Sequence, residues 1–169
     1  MVRLSEISEV LTAYPGVGRA ETATVRHDGQ DVTIAVVETS EYLSGPLLRN
    51  HVRQRLGADG GLAGVLIVER IPMSGDAVDL AYVAAAVADG RCTLFEDPRD
   101  EVERRVAAIW SAQMEVRSIG ANDDFLELGG DSLSALAIIA AIETEFDRSL
   151  DVYEFMSASS VRRLAEILR

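Results

Sequence analysis

A serine that follows two glycines and an aspartate is the residue in this chain best placed for chemistry. Gly129 and Gly130 predict a turn, where the backbone can take positive φ and approach another molecule closely. Asp131 is a good helix N-cap, which puts Ser132 in the first turn of the next helix, exposed at its positive end near free backbone N–H groups. Such a position favours a covalently attached phosphate. The spacing alone equally allows Ser132 to be only part of a helix start.

The residues after the serine predict the helix that presents it. Apolar side chains recur there at spacings of three and four, which indicates one face packed in a core. This face is formed by Ala135, Ile138, Ile139, Ile142 and Phe146. The sequence therefore predicts a core helix with the serine at its exposed start.

The stretch DDFLELGGDSL resembles the attachment motif of carrier domains in nonribosomal peptide synthetases. In that family the serine carries covalent 4′-phosphopantetheine, derived from coenzyme A, which implies attachment at Ser132. Upstream, PRDEVERRVAAIWSAQMEV resembles the first carrier helix, and LDVYEFMSASSVRRLAEIL resembles the third and fourth. A motif with both flanks in order is more specific than the motif alone. The resemblance covers residues 98–169 and implies an all-α peptidyl carrier (thiolation) domain, a four-helix bundle with one short helix. The supporting motif residues are Gly129, Gly130, Asp131 and Leu133.

The same resemblance implies a partner-docking surface formed by four apolar side chains: Leu133, Leu136, Phe155 and Met156. Leu133 and Leu136 follow the serine by one and four residues and can share one side of its helix. Ordinary core packing is the alternative for all four, and for Phe155 the two are evenly balanced. Trp110 is expected to be a core anchor.

Residues 1–88 predict an α+β subdomain, a small sheet with packed helices. Asp28-Gly29 between two alternating runs predicts a hairpin. Helices are expected over 4–14, 44–56 and 80–88, strands over 20–27, 31–38 and 62–69, and a loop over 71–79. The glycine-rich break GADGG precedes the third strand.

This order resembles the C-terminal subdomain of adenylation domains. LSEISEVLTAYPGV is similar to its first helix, and IPMSGDAVDLAYV lies where that family ends its domain. Val78-Asp79 matches the end of the family's last motif, but Ala77 stands where its catalytic lysine belongs. All sixteen basic residues of the chain are arginine. The resemblance implies a truncated, degenerate subdomain without adenylation activity; an unrelated α+β origin is the alternative.

Residues 89–97 are the predicted linker, with Leu94 and Phe95 expected to dock on the preceding subdomain. Cys92 is interpreted as a linker thiol. A single cysteine excludes an internal disulfide and fits a reducing cytosol, so a cytoplasmic location is expected.

The net charge of −12 disfavours nucleic acid and anionic membranes as partners and favours proteins with basic docking faces. No apolar run approaches the roughly twenty residues needed to cross a bilayer. His27 and His51 lack partners at metal-ligand spacing and are expected to be solvated. The stretch Asn122–Asp124 is expected to cap a turn, and no metal site is predicted.

Together these features predict a non-catalytic, phosphopantetheine-dependent carrier of nonribosomal peptide, or hybrid, antibiotic biosynthesis. It would tether an aminoacyl or peptidyl thioester and be loaded in trans. The implied partners are a phosphopantetheinyl transferase, an adenylation enzyme in trans, and condensation, tailoring or thioesterase domains. Three alternatives stay open: the first half completes a split adenylation enzyme, it is a structural base for the carrier, or the chain is an excised piece of a larger module.

Overall fold

The computed structural model describes residues 3–57 and 61–169. The chain divides into two compact units, Met1–Leu94 and Phe95–Arg169. The division falls inside the segment predicted as a linker. Most of the predicted glycine-rich break, residues 58–60, lies outside the described residues.

The first unit is built on a three-stranded sheet in the order β1-β2-β3. Its strands are β1 (Arg19–His27), β2 (Gln30–Glu38) and β3 (Leu62–Val68), and its helices are α1 (Leu4–Thr12), α2 (Gly45–Leu56) and α3 (Leu80–Ala88). Strands β1 and β2 are antiparallel, and β2 and β3 are parallel. Parallel neighbours need a crossover, and α2 supplies it. The predicted hairpin is confirmed, with Asp28 and Gly29 at φ 48° and 79°.

The central strand β2 is buried on both faces, because helices cover the sheet from both sides. Ile34 and Val36 pack in the cluster that includes α3 residues, whereas Ala35 and Val37 pack in the cluster that includes α1 and α2 residues. The predicted small sheet with packed helices is therefore present.

Two features of the first unit differ from the prediction. The predicted loop over 71–79 contains a small hairpin of β4 (Met73–Ser74) and β5 (Ala77–Val78). Cys92 is not a linker thiol but a core residue, packed with Val83 and Ala86 of α3. Because burial removes the thiolate from water, it raises the pKa of Cys92 to about 12.

Two adjacent residues of the predicted linker pack in different units. Leu94 packs against the core cluster of the first unit, as predicted. Phe95, predicted to dock there too, belongs to the second unit, where its ring lies beside Gly120. In the same unit the Glu96 carbonyl accepts the N–H of Ala121 at 2.8 Å.

The second unit contains four helices: α4 (Glu101–Met114), α5 (Ser132–Phe146), α6 (Val152–Ser157) and α7 (Val161–Leu168). Helix α4 packs against α5 and α7, and α6 packs against α5. Each helix begins after a side chain that accepts an N–H of its first turn, which satisfies a donor that lacks a partner within the helix. These caps are Asp100, Asp131, Asp151 and Ser160. Among the described residues no helix is long and apolar enough to span a membrane.

Candidate attachment site

Three aromatic rings form the core beneath the serine. Trp110 of α4 is fully buried, as predicted, and its ring centroid lies 5.8 Å from that of Phe125 and 6.1 Å from that of Phe155. The Phe125 and Phe155 centroids are 5.0 Å apart, and all three pairs meet edge to face. This arrangement is favourable for aromatic quadrupoles. It fixes Phe125, which begins the turn leading to Ser132.

The turn before the serine is closed by its own backbone and by one carboxylate. Asp124 Oδ2 accepts the N–H groups of Leu126 at 2.9 Å and Glu127 at 3.1 Å. The Phe125 carbonyl accepts the N–H of Gly130 at 3.0 Å. These bonds carry the chain directly from the aromatic core to the start of α5.

The two glycines of the motif serve different needs. Gly129 has φ 87° with open space where a side chain would stand, so backbone conformation selects glycine there. Gly130 is selected by space instead: a Cβ there would lie 2.4 Å from the Phe125 ring. The prediction of positive φ thus holds for Gly129, whereas Gly130 allows the turn to lie against the core.

Asp131 caps α5, as predicted. Its Oδ1 accepts the N–H of Ser134 at 2.8 Å, and Ser134 Oγ accepts the N–H of Asp131 at 2.8 Å. The hydrogen bond from the Ser134 N–H, followed by that from the Ser134 hydroxyl to the same Oδ1 at 3.0 Å, holds the pKa of Asp131 below its ordinary value. The expectation of free N–H groups beside Ser132 is therefore wrong for the Ser134 donor, because the neighbouring carboxylate occupies it.

Ser132 is exposed at the first position of α5. Its hydroxyl makes no hydrogen bond with the part of the chain that the structure describes. The second unit contains no histidine, lysine or cysteine, so it lacks the usual general bases that activate a serine nucleophile. The Ser132 hydroxyl is thus exposed and has no histidine or lysine of its own unit beside it.

An apolar groove of about 500 Å³ lies beside the serine between α5 and α6. It is lined by Phe125, Leu126, Asp131, Ser132, Ala135, Leu136, Val152 and Met156. The structure therefore brings the serine together with Leu136 and Met156, two of the four predicted docking residues. Leu133 is 79% exposed and does not line the groove.

Phe155, for which docking and core packing were evenly balanced, packs in the core. It is only 1% exposed because its ring fills the aromatic core, so a partner cannot reach it. Three more apolar residues of the second unit are exposed, although no sequence pattern indicated them, namely Leu126, Val152 and Tyr153. Val152 precedes Met156 by four residues on α6, a spacing that places both on one helix face.

The two histidines, which were expected to be solvated, lie in different surroundings. His27 lies 3.4 Å from the Asp28 carboxylate, and His51 is half-buried against the Tyr14 ring rather than solvated. Burial, with the nearby Arg55 as a smaller cause, lowers the pKa of His51. Among the described residues no group of three or more histidine, cysteine or acidic side chains could hold a metal ion.

The two aspartates near the start of the turn bond to backbone. Asp123 is buried and Asp124 caps the following residues, as expected for turn-forming carboxylates. In the first unit, Ala77 is exposed at the start of β5 and presents only a methyl group.

Residues 104–168 match the family model described as a phosphopantetheine attachment site. The isonitrile lipopeptide synthase of Mycobacterium tuberculosis (strain ATCC 25618 / H37Rv) is 30% identical over 171 residues, 99% of this chain and 7% of that protein. The surfactin synthase subunit 3 of Bacillus subtilis (strain 168) is 28% identical over 170 residues, 99% of this chain and 13% of that protein. The chain therefore spans a small part of each relative's length.

Among solved structures, one of the McyG A-PCP complexed with phenylalanyl-adenylate is 23% identical to this chain. The match covers 98% of this chain and 30% of the McyG chain, with a TM-score of 0.44.

Proposed function

We propose that residues 104–168, which match the model of a phosphopantetheine attachment site, form a peptidyl carrier domain. In this proposal Ser132 carries 4′-phosphopantetheine, and the arm's thiol tethers an aminoacyl or peptidyl group in nonribosomal peptide biosynthesis. The observation that carries this proposal is an exposed serine hydroxyl, at the start of α5, within the matched residues. The Phe125 ring packs against the turn before Ser132, and an apolar groove lies beside the serine.

The attachment step needs an external transferase. The Ser132 oxygen bonds to the phosphorus that bears pantetheine in coenzyme A, the phosphoanhydride bond breaks, and adenosine 3′,5′-bisphosphate leaves. We expect the hydroxyl proton to pass to a base of the transferase, because the neighbouring Asp131 carboxylate accepts hydrogen bonds from Ser134 that lower its pKa and make it a weak base. The carrier then acts by presentation, because a tethered substrate meets each partner at high effective concentration.

We further propose that the groove and its rim form the contact surface for the transferase and for acyl-processing domains. Leu136 and Met156 line the groove, and Leu133 extends the apolar surface on the same helix. The strongly acidic chain favours partners whose docking faces are basic. By the same reasoning, condensation, tailoring or thioesterase domains are the classes of partner that would receive the tethered group.

Intact mass tests the attachment residue. The full chain, incubated with coenzyme A and a phosphopantetheinyl transferase, should gain one phosphopantetheine mass, and Ser132→Ala should gain none. Ser134→Ala is the matched control, because it removes a neighbouring hydroxyl of the same helix turn and should still be modified. A gain that survives Ser132→Ala, or no gain in the unaltered chain, would contradict the proposal.

Thiol titration of the folded chain gives a second readout. Cys92 is buried and its pKa is raised to about 12, so it should react slowly at neutral pH. The unmodified chain should therefore show no fast thiol and the modified chain one, from the arm.

For the first unit we propose a role as a structural or docking base, without adenylate formation. Ala77 offers no ammonium group, and the chain contains no lysine that could replace it. Arginine is no substitute, since its geometry and pKa differ. The tethered group would therefore be supplied by an adenylation enzyme that contributes its own catalytic residues.

ATP–pyrophosphate exchange by this chain should stay at background with every amino acid tried, under conditions where an intact adenylation enzyme is active. The second candidate function is part of a split adenylation enzyme, and it rests on the first unit, which aligns with long synthetases together with the second unit. Exchange above background on this chain would overturn the inactive assignment. Exchange that appears only after a separate N-terminal adenylation portion is added would favour the split enzyme.

A further inference from the structure

We propose that Asp131 keeps the phosphate of the attached arm away from the N-terminus of α5, so that the arm leaves the helix instead of folding back onto it. This inference rests on attachment at Ser132, the proposed function. It makes Asp131 a positioning residue for the arm.

The donors that a phosphate on Ser132 would ordinarily bind are the N–H groups of the first helical turn. The Ser134 N–H points at Asp131 Oδ1 at 2.8 Å. The Ser134 hydroxyl also lies 3.0 Å from that oxygen, and it accepts the Asp131 N–H at 2.8 Å. Asp131 and Ser134 therefore form a reciprocal cap, and a carboxylate already occupies the Ser134 N–H of the first turn.

Electrostatic repulsion by the Asp131 carboxylate should also keep the phosphate away from the N-terminus of α5. A phosphodiester on Ser132 would stand one residue from the Asp131 carboxylate, and like charges at this range repel. No residue that lines the neighbouring groove is basic, so the described part of the groove offers the phosphate no cation. The phosphate is therefore expected to stay in water, with the arm extending from the exposed side of the serine.

Thermal unfolding of the full chain before and after modification tests this coupling. In the unaltered chain, modification should leave Tm nearly unchanged, because the cap is occupied. In Asp131→Ala the phosphate can take the vacant donors, so modification should raise Tm by about 2–5 °C. Asp151→Ala is the matched control: Asp151 caps α6 in the same way, accepting the Glu154 N–H at 2.8 Å, and its loss should not create a response to modification.

The amide signal of Ser134 reports the same event directly. Amide ¹H–¹⁵N spectra should show a small change for Ser134 on modification of the unaltered chain and a large downfield change in Asp131→Ala. If Asp131→Ala does not fold, Asp131→Gly carries the test. Glycine is tolerated at an N-cap but offers no side-chain acceptor, so the Ser134 N–H is vacated and modification should raise Tm as in Asp131→Ala.

Three results would overturn the inference: equal Tm responses in the unaltered chain and the residue 131 variants, a Tm response in Asp151→Ala that matches that of Asp131→Ala, or a large Ser134 shift in the unaltered chain. Intact mass is measured on every sample. Absence of the phosphopantetheine mass would contradict the proposed function, whereas a normal mass gain with equal responses would contradict only the positioning role.

Discussion

Phe155→Ala is expected to lower the free energy of unfolding of the second unit by about 3–5 kcal/mol. The Phe155 ring is 1% exposed and meets Trp110 and Phe125 edge to face. Truncation removes these contacts and leaves a cavity in a core that can only partly collapse. Because Trp110 is the chain's single tryptophan, its fluorescence during urea unfolding reports on this unit alone.

Met156→Ala is the matched comparison, one residue further along the same short helix. Met156 is 41% exposed on the groove beside Ser132, so its truncation should change stability by less than about 1 kcal/mol. It should instead slow modification of Ser132 by the transferase, measured as an initial rate of mass gain. Similar stability losses in the two variants, or a Met156→Ala rate equal to that of the unaltered chain, would contradict this division between core and groove.

The division also shows where sequence patterns stop being informative. Helical spacing predicts that Val152, Phe155 and Met156 share one broad face of α6, but it does not say which neighbour points inward. That choice is made by Trp110 and Phe125, which come from distant parts of the chain. Of these two predicted docking residues, Met156 is therefore exposed, whereas Phe155 is buried.

Local signals, by contrast, predicted local structure well. The Asp28-Gly29 hairpin, the cap at Asp131 and the helix after Ser132 all depend on residues within a few positions of one another. The structure of the attachment site could not be predicted from such local signals alone. Adjacent glycines look alike in a sequence, yet Gly130 is required because the Phe125 ring stands 2.4 Å from its missing Cβ, a contact that only the folded turn creates.

The ion pairs of the second unit could not be predicted from the sequence either. The chain has 28 acidic and 16 basic residues, and nothing in their order pairs Glu103 with Arg162 across 59 positions. Arg162 Nε donates to Glu103 Oε1 at 3.0 Å, and its Nη1 lies 2.8 Å from Glu96 Oε2. The Arg162 side chain is 13% exposed and that of Glu103 only 1%, so this pair is largely out of water.

Arg162→Met should therefore destabilise the second unit by about 3–5 kcal/mol, because it leaves the Glu103 carboxylate buried without its main partner. Adding Glu103→Gln should recover part of the loss, since the unpaired charge is then gone. Arg104→Met is the control on the same unit: its partner Glu101 and Arg104 itself are more than half exposed, so it should cost about 0.2–1 kcal/mol at most. Equal costs for Arg162→Met and Arg104→Met, by Trp110 fluorescence in urea, would contradict the buried network.

The pH dependence of that difference has a definite sign. Burial alone would raise the pKa of Glu103, but hydrogen bonds from Arg162 and the Arg99 N–H hold it below the ordinary 4.5. The pKa of Glu96 is also lowered, and the hydrogen bond from Arg162 is the main cause. Carboxylates with lowered pKa stabilise the fold above their unfolded pKa and lose that contribution as pH falls. In Arg162→Met, burial should instead raise the pKa of Glu103. Protonation of Glu103 at low pH should therefore reduce the loss in the free energy of unfolding of this variant. The stability gap between the two chains should therefore be widest at neutral pH and narrow below about pH 4.5; a gap that stays constant from pH 7 to pH 4 would show that Arg162 acts through packing rather than charge.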